Sequence, residues 1–253
     1  MPITPRQSDI LTLARQTGRV AAQTLAKDFA VTVQTIRRDL TELCEAGLLQ
    51  RTHGGAMLPS TITNLAYEDR RRLNADAKER IARATAEMIP PGASLFLNIG
   101  TTTEAVARAL MNIPNLMVVT NNMNVAQILG GHPTAEVILT GGRLRRSDGG
   151  LVGDMAVQTI RQFKVDIAVI GGSALDAEGD LLDFDPDEVR VSRAILGQAR
   201  SSILVADASK LTRAAPVRIA GLADLDHWVT DQVPPAGLKV VCKEAGTEVV
   251  VVG

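Results

Sequence analysis

The sequence predicts two unlike parts: a small helical unit with a β-hairpin, then a larger α/β domain built on a mainly parallel sheet. In the first part, three short helical patterns precede two apolar runs that flank Gly54-Gly55. In the second part, short apolar runs alternate with helical patterns, which is typical of a parallel sheet covered by helices.

Composition sets the broad class of the protein. The 253 residues are 45% hydrophobic with a net charge of −1, which excludes a mainly disordered chain. No apolar run approaches the roughly 18 residues that cross a bilayer, and the first ten residues lack the apolar stretch of a signal peptide. Cys44 and Cys242 are too few for a disulfide framework or a Cys-rich metal site. We expect a cytoplasmic protein with no membrane partner, no cofactor and no metal.

Charge and polarity suggest where the two parts meet. Residues 1–72 carry 10 Lys and Arg against 7 Asp and Glu, whereas residues 73–253 carry 17 against 21. A mildly basic front and an acidic rear indicate different partners. The stretch from Pro59 is polar and charged. We therefore predict domains at 1–58 and 76–253, joined by a linker at 59–75.

The front part has the outline of a winged helix-turn-helix. Helical patterns cover about 5–17, 22–29 and 33–46, and the hairpin follows. On the third helix, the apolar residues form one stripe, and the opposite face is polar near the N-terminus, as major-groove reading requires. Arg can pair with guanine and Gln with adenine. The alternative is that these arginines merely solvate an exposed face. The predicted DNA-contacting residues are Thr32, Gln34, Thr35, Arg37, Arg38, Arg51 and His53.

The rear part is predicted to alternate helices and strands. Helices are expected at 77–88, 103–111, 122–129, 154–162 and 188–199, and strands at 94–97, 116–120, 136–139, 165–170, 202–206, 228–230 and 248–252.

Three loops after predicted strands are candidate ligand loops. The segment 98–103 (NIGTTT) combines hydroxyls with free N–H groups at a helix start, which suits phosphate. The alternative is a plain turn with a Thr cap. Thr120-Asn121 and Gly141-Gly142 also follow strands, where ligands gather in open α/β sheets. Lys210 could add a point charge towards an anion.

The acidic run at 183–188 (DFDPDE) leaves several interpretations open. It could supply a general base, a metal site or a hydroxyl clamp for a polyol, or it could be the acidic approach to a helix. The three His residues form no metal-binding pattern, and no G-x-S-x-G motif is present, so no catalytic residues are predicted.

Residues 32–40 (TVQTIRRDL) resemble the helix-turn-helix signature of the DeoR family of bacterial transcription regulators. Arg6, Ile10 and the HGGA wing at 53–56 also match. Ala21 is a departure, because a Ser or Thr is expected to open the second helix, and its loss could cost about 1 kcal/mol. In the rear part, segments such as IGTTTEAVARALMN and LLDFDPDEVRVSRAIL are similar to the family as well.

The resemblance implies a rear domain that is similar in fold to sugar-phosphate isomerases and CoA-transferases and senses a phosphorylated sugar or polyol, glycerol 3-phosphate foremost. Asn98 departs from the Asp of many members, which bears on the choice of effector. The ligand shell that the resemblance implies is Gly100, Thr101, Thr102, Thr120, Asn121, Gly141, Gly142, Asp183, Glu188 and Lys210.

Three functions follow as expectations. The first is a repressor that binds a double-stranded DNA operator as a homo-oligomer, dimer or tetramer, and is released by its effector. The second is an isomerase-like enzyme with an accessory domain. The third is a regulator, repressor or activator, that responds to a different phosphosugar, because a phosphate cradle does not distinguish carbon skeletons.

Overall fold

The computed structural model describes residues 4–17, 19–46, 48–52, 54–57 and 67–253. The chain forms two compact units, Met1–Thr63 and Asn64–Gly253. The predicted linker at 59–75 lies partly outside the described residues, and its described part includes a short helix.

The first unit contains the three predicted helices and the hairpin. Its elements are α1 (Pro5–Thr17), β1 (Arg19–Ala21), α2 (Ala22–Asp28), α3 (Val33–Glu45), β2 (Gln50–Thr52) and β3 (Gly55–Met57). The strand β1 was not predicted. It pairs with β3 in an antiparallel sheet of order β1-β3-β2. Ile10, Leu25, Ile36 and Leu40 are buried in the core between the helices.

The hairpin compensates for the missing cap of α2. Ala21 precedes this helix and makes no side-chain cap bond, because its methyl group has no hydrogen-bond acceptor. Instead, the backbone N–H of Ala22 donates to the carbonyl oxygen of Gly54 at 2.9 Å. The close approach also explains Gly55, since a Cβ there would lie 2.0 Å from the carbonyl oxygen of Val20. The hairpin turn therefore satisfies one of the open donors at the start of α2.

The second unit alternates helices and strands. Its elements are α4 (Tyr67–Arg72), α5 (Ala75–Glu87), β4 (Ser94–Leu97), α6 (Thr101–Ala109), β5 (Met117–Thr120), α7 (Met123–Leu129), β6 (Glu136–Leu139), β7 (Arg143–Arg145), β8 (Gly150–Val152), α8 (Asp154–Ile160), β9 (Val165–Ile170), β10 (Ala174–Leu175), β11 (Asp180–Asp183), α9 (Pro186–Gly197), β12 (Ala199–Val205), β13 (Val217–Gly221), β14 (His227–Thr230), α10 (Ala236–Ala245) and β15 (Glu248–Val251), with short 3-10 helices at Leu110–Asn112, Ala208–Thr212 and Leu222–Asp224.

The predicted parallel sheet is confirmed. Within the described residues it has seven strands in the order β15-β14-β12-β9-β4-β5-β6, all parallel. Alternate residues of each strand face opposite sides, so Leu95 and Leu97 pack towards α5, α6 and α7, while Phe96 packs towards α8, α9 and α10. The strand order reverses between β4 and β9. That reversal opens a crevice at the carboxyl ends of these strands.

Several elements were not predicted. The helix α10 buries only Leu238 and Cys242, so its apolar pattern is weak. The prolines at 234 and 235 and the left-handed Gly246 after its last turn were the available signals. The two- and three-residue strands β7, β8 and β10 are too short to show a period. None of the helices in the described part of the chain is long and apolar enough to cross a membrane.

Candidate functional site

The outer face of α3 is exposed and polar. Gln34, Arg37 and Arg38 are exposed, whereas Ile36 and Leu40 on the opposite face are fully buried. Thr32 caps the helix, since its side-chain oxygen accepts from the backbone N–H of Thr35 at 3.2 Å. The side chain of Arg38 is 83% exposed, and among the described residues it pairs with Glu42, at 3.2 Å. The predicted base-reading side chains therefore share one free face of one helix.

The acidic residue of the helix-turn-helix motif has a structural task. Asp39 is buried, and its carboxylate accepts from Nε and Nη2 of Arg6 at 2.6 and 3.2 Å. This bidentate pair joins α1 to α3 and fixes the direction of the exposed face. Sequence reasoning noticed both residues as matches to the motif but did not pair them.

Arg51 on the hairpin is anchored to α3. Its Nη1 donates to Oγ1 of Thr41 at 3.0 Å, and that hydroxyl in turn donates to the carbonyl oxygen of Arg37 at 2.8 Å. The structure thus brings Arg51 next to the predicted reading face. His53, also predicted to contact DNA, lies outside the described residues.

The second unit has a small pocket at the point where the sheet order reverses. It lies at the carboxyl ends of β4, β9 and β12, where an open α/β sheet places its ligands. Six predicted ligand residues meet here, together with residues that were not predicted. The lining residues are Arg70, Ile99, Gly100, Thr101, Thr102, Thr103, Gly171, Gly172, Ser173, Asp183, Glu188, Val205 and Lys210.

One end of the pocket suits an anion. The helix α6 begins there, and the first N–H groups of a helix have no partner within it. Thr102 is buried against this end. The N-cap of α6 is Gly100, without a side-chain cap bond, and the hydroxyl of Thr103 lies 2.7 and 2.8 Å from the carbonyl oxygens of Asn98 and Gly100, to which it can donate. Thr102 lines the pocket beside it, so its hydroxyl can serve a ligand.

Basic side chains surround the same end. Arg70 and Lys210 line the pocket, and Lys78 and Arg213 lie near enough to act on them electrostatically. Burial, then repulsion from Arg213, lowers the pKa of Lys210 to about 8. The pKa of Lys78 is also lowered, by burial first. The carboxylate of Asp207 offsets part of this repulsion, since it raises the pKa of Lys210, Lys78 and Arg213. One carboxylate against several cations leaves this end positive, so it favours an anion.

Carboxyl groups occupy the other end. Asp183 and Glu188 are buried, whereas Asp185 caps α9 by accepting from the N–H of Asp187 at 2.9 Å. The acidic run therefore forms the start of a helix, one of its open interpretations, and places two of its carboxyl groups in the lining of the pocket. Burial raises the pKa of Asp183, and burial together with the charge of Asp183 raises that of Glu188 to about 8.

Arg145 holds the carboxyl end together. Its guanidinium contacts both oxygens of Asp148, at 2.9 and 2.7 Å, and also reaches Asp185 at 2.9 Å and Glu188. Its neighbouring carboxylates keep it protonated against the effect of burial. The carboxyl oxygens that remain can accept hydrogen bonds from the hydroxyls of a polyol.

Four predicted ligand residues do not line the pocket. The hydroxyl of Thr120 donates to the carbonyl oxygen of Leu97 at 2.7 Å, and Nδ2 of Asn121 donates to that of Leu151 at 3.1 Å. Gly141 and Gly142 follow β6. A Cβ at Gly142 would lie 2.7 Å from the carbonyl oxygen of Val152, so packing explains that glycine. Thr120 ends β5, and the other three residues follow β5 or β6, on the side of β4 away from the crevice.

Asn98 is part of the scaffold. Its Nδ2 donates to the hydroxyl of Ser192 at 2.7 Å, and its Oδ1 accepts from the N–H of Ile99 at 2.7 Å. The amide therefore holds β4 to α9 beneath the pocket. Among the described residues, no three His, Cys, Asp or Glu side chains are placed to hold a metal ion.

Sequence comparison identifies both units. Residues 6–62 match the family described as the DeoR-like helix-turn-helix domain, and residues 73–232 match the DeoR C terminal sensor domain.

Full-length relatives are transcription repressors by name. The chain is 46% identical to the glycerol-3-phosphate regulon repressor of Escherichia coli over 95% of this chain and 96% of that one. It is 44% identical to the protein of the same name from Haemophilus influenzae, over 97% and 95% of the two chains. The E. coli repressor CsqR is 38% identical over 97% and 94%.

Among solved structures, a ribose-5-phosphate isomerase in complex with phospho-erythronic acid covers 54% of each chain, with 17% identity and a TM-score of 0.41. A likeness at this level is too weak to support a conclusion about function.

Proposed function

Since the chain belongs to the DeoR family of transcription regulators, we propose that it is a DNA-binding repressor released from its operator by a phosphorylated polyol or sugar, glycerol 3-phosphate foremost. The observation that carries the effector assignment is the polarity of the pocket. One part of the lining has Lys210 and the start of α6, another holds the buried carboxyls of Asp183 and Glu188, and Arg70 lies near enough to act on both. A short molecule with a phosphate at one end and hydroxyls at the other matches both.

DNA binding is assigned to residues 1–58. The exposed side chains of Gln34, Arg37 and Arg38 would enter the major groove, where they can pair with base edges, while Arg51 reaches the phosphate backbone from the hairpin. Because one helix reads only a short half-site, we propose a homo-oligomer on a two-fold symmetric operator.

Effector binding is assigned to residues 76–253 together with Arg70. The N–H groups at the start of α6, the hydroxyls of Thr101 and Thr102, and Lys210 would hold the phosphate. Asp183 and Glu188 would accept hydrogen bonds from the hydroxyls. An effector that prefers the arrangement with low DNA affinity shifts the population off the operator.

We assign no catalytic turnover to this pocket. Asp183 accepts from the hydroxyl of Ser173 at 3.1 Å and from the N–H of Phe184 at 2.7 Å, and Glu188 is bound by Arg145. Carboxyls fixed in this way can orient a ligand, whereas a general base must reach the proton it removes. A turnover assay on phosphorylated sugars, with an active isomerase as the positive control, should remain at background.

The deciding experiment is operator release by a panel of phosphorylated sugars and polyols. The operator is first selected from random duplexes by the purified protein. We expect glycerol 3-phosphate to release it at the lowest concentration and glycerol, which lacks the phosphate, to have no effect. If a different phosphosugar alone released the operator, the assignment as a DNA-binding regulator would stand and the assigned effector would change. No selection of any duplex would contradict the whole proposal.

A further inference from the structure

The short helix α4 makes polar contacts with the pocket and with residues around it. The backbone carbonyl oxygen of Arg70 accepts a hydrogen bond from Nζ of Lys78 on α5. It also accepts one from the hydroxyl of Thr101 on α6, at 3.5 Å. Its guanidinium lines the pocket and pairs with Asp148 at 3.3 Å. One residue thus contacts α5, α6 and the carboxylate of Asp148.

The guanidinium of Arg70 retains binding capacity. Its side chain is 15% exposed, and its Nε is buried without a hydrogen-bond partner among the described residues. A buried donor left unpaired is costly, and an oxygen of a bound ligand would satisfy it. The carboxylate of Asp148 does not depend on Arg70, because Arg145 already binds both of its oxygens. Arg70 can therefore exchange Asp148 for a ligand oxygen without leaving a buried carboxylate unpaired.

A second set of contacts fixes the start of α4. The hydroxyl of Tyr67 donates to Glu104 at 2.7 Å and accepts from Nδ2 of Asn124 at 3.1 Å. Glu104 lies on α6, three residues after Thr101, so both ends of α4 are bonded to the helix whose N-terminus faces the phosphate. The start of α4 is thus held by α6 and α7 outside the pocket, while Arg70, nearer its end, contacts Thr101 in the lining.

The helix α4 follows the DNA-binding unit closely in the sequence. The last strand of the first unit, β3, ends at Met57, and α4 begins at Tyr67. Only residues 58–66 separate them. Whatever fixes or shifts α4 therefore acts at the point where the chain leaves the effector domain for the DNA-binding unit.

We infer that Arg70 is a phosphate ligand supplied by α4, and that occupancy of the pocket is conveyed to the DNA-binding unit by the fixing of this helix. The inference rests on the proposed effector site and names the element that reports its occupancy. An anion would gain a fork of donors from Arg70 in addition to the point charge of Lys210. The helix would then be held by the ligand as well as by Lys78 and Thr101.

The test compares Arg70→Gln with Arg71→Gln in the full-length protein. Arg71 is the next residue of α4 and is exposed, so its variant removes the same charge from the same helix outside the pocket. Calorimetry with glycerol 3-phosphate, and separately with inorganic phosphate, should show a ten- to hundredfold loss of affinity in Arg70→Gln. The loss in Arg71→Gln should stay within about twofold, and Arg70→Lys should recover part of the affinity because it keeps the charge.

The second measurement is hydrogen exchange of the amides of α4. We expect glycerol 3-phosphate to slow their exchange in the wild type and in Arg71→Gln but not in Arg70→Gln at the same degree of saturation. A melting curve of each variant verifies that it is folded. Should Arg70→Gln prove unfolded, Arg70→Lys carries the same two measurements.

The outcomes separate the two levels of the argument. Wild-type protein that binds neither glycerol 3-phosphate nor inorganic phosphate would overturn both the proposed effector site and this inference. If the wild type binds and Arg70→Gln binds with the same affinity, only the inference about Arg70 would be overturned. Reduced binding without any change in the exchange of α4 would leave Arg70 as a ligand but would refute its role in reporting occupancy.

Discussion

Adjacent threonines at the start of α6 have different partners, and a pair of variants uses that difference. Thr103 closes the turn by contacting the carbonyl oxygens of Asn98 and Gly100, whereas Thr102 is buried at the pocket. Replacement by Val keeps the volume and the branching at Cβ and removes only the hydroxyl. The two positions should therefore respond differently to the same substitution.

Thr102→Val should weaken effector binding and leave operator binding unchanged. A hydrogen bond to a charged group contributes about 1.5–3 kcal/mol, so affinity for glycerol 3-phosphate should fall roughly ten- to a hundredfold. Thr103→Val should instead lower the melting temperature, because the carbonyl oxygen of Asn98 loses the hydroxyl of Thr103, whereas that of Gly100 still accepts from the N–H of Glu104. Calorimetry and a melting curve on both proteins check this. Wild-type affinity in a folded Thr102→Val protein would place the phosphate elsewhere.

Arg38→Ala should strongly weaken specific operator binding without affecting the fold. The side chain is 83% exposed, and its bond to Glu42 is an exposed pair of a kind that contributes little to stability. A lost base contact costs about 1–3 kcal/mol, whereas a lost phosphate contact lowers the salt slope by about one for every sequence. Arg83→Ala is the matched control, since Arg83 forms a similar exposed pair with Glu79 on α5. Gel shifts at several salt concentrations that showed unchanged binding by Arg38→Ala would refute the assignment.

Effector affinity should fall above pH 8. Lys210, with a pKa of about 8, loses its positive charge there, and Glu188, also near 8, gains a negative one. Both changes oppose an anion, so affinity should fall about a hundredfold from pH 7 to 9. Lys210→Arg keeps its charge, so its fall should be only about tenfold. Calorimetry across this range decides, and identical profiles for the two proteins would remove Lys210 from the phosphate site.

The same two groups make opposite contributions to the free energy of unfolding. The pKa of Lys210 falls on folding from its ordinary 10.5 to about 8, so the unfolded chain binds more protons between these values and stability rises with pH there. The pKa of Glu188 rises on folding from 4.5 to about 8, so the folded protein binds more protons between these values and stability falls as pH rises. Urea titrations from pH 5 to 10 should show the contribution of Lys210 disappear in Lys210→Arg.

Site residues could be predicted from the sequence where the neighbouring residues form a recognisable pattern. Thr102 and Lys210 follow strands in patterns that suit phosphate, and the structure brings them together. Arg70 lies in a charged stretch without an apolar period, which looks like a linker. Its placement depends on Lys78, Thr101 and Asp148, and only the folded chain brings the last two near it.

At the scale of elements, two glycines of the hairpin allow the contribution of close packing to stability to be measured. Gly55→Ala would force a Cβ to within 2.0 Å of the carbonyl oxygen of Val20, where β1 pairs with β3. The backbone must shift, and we expect a loss of about 3 kcal/mol. Gly54→Ala is the control, because its φ of 85° is strained but no atom lies within 4 Å of the added Cβ. Its cost should be about 1 kcal/mol.

The measurement is the urea concentration at which operator binding is halved. Gly55→Ala should move this midpoint down by more than Gly54→Ala does. Equal midpoints would mean that the first unit relaxes around Gly55 and that the pairing of β1 with β3 contributes little to stability.

Strand order explains why some ligand loops were assigned to the pocket and do not line it. Each strand was visible as an apolar run, and the loops after β4, β5 and β6 look equivalent in the sequence. Their order in the sheet is set by how the helices α5 to α10 distribute over its two faces. Only β4 borders the reversal, so Thr101 reaches the crevice while Asn121 does not.

At the scale of the whole molecule, we expect a dimer or a larger assembly. One helix α3 reads only a few base pairs, and two-fold repetition is the usual route to useful specificity. Large apolar side chains are exposed on the second unit, including Leu144 at 45% and Met155 at 65%. Light scattering at the concentration used for operator binding gives the mass. A monomer that retained full operator affinity would contradict the expectation.

The bond from Ala22 to Gly54 limits how this regulator can be recombined with others. An engineer who grafts only α2 and α3 onto another sensor would leave behind the carbonyl group that completes the first turn of α2. The first turn of α2 would then lose a hydrogen bond, and we expect it to fray in the free hybrid protein. The smallest portable cassette extends through β3, and a hybrid regulator with its junction after Met57 should retain the donor protein's operator preference.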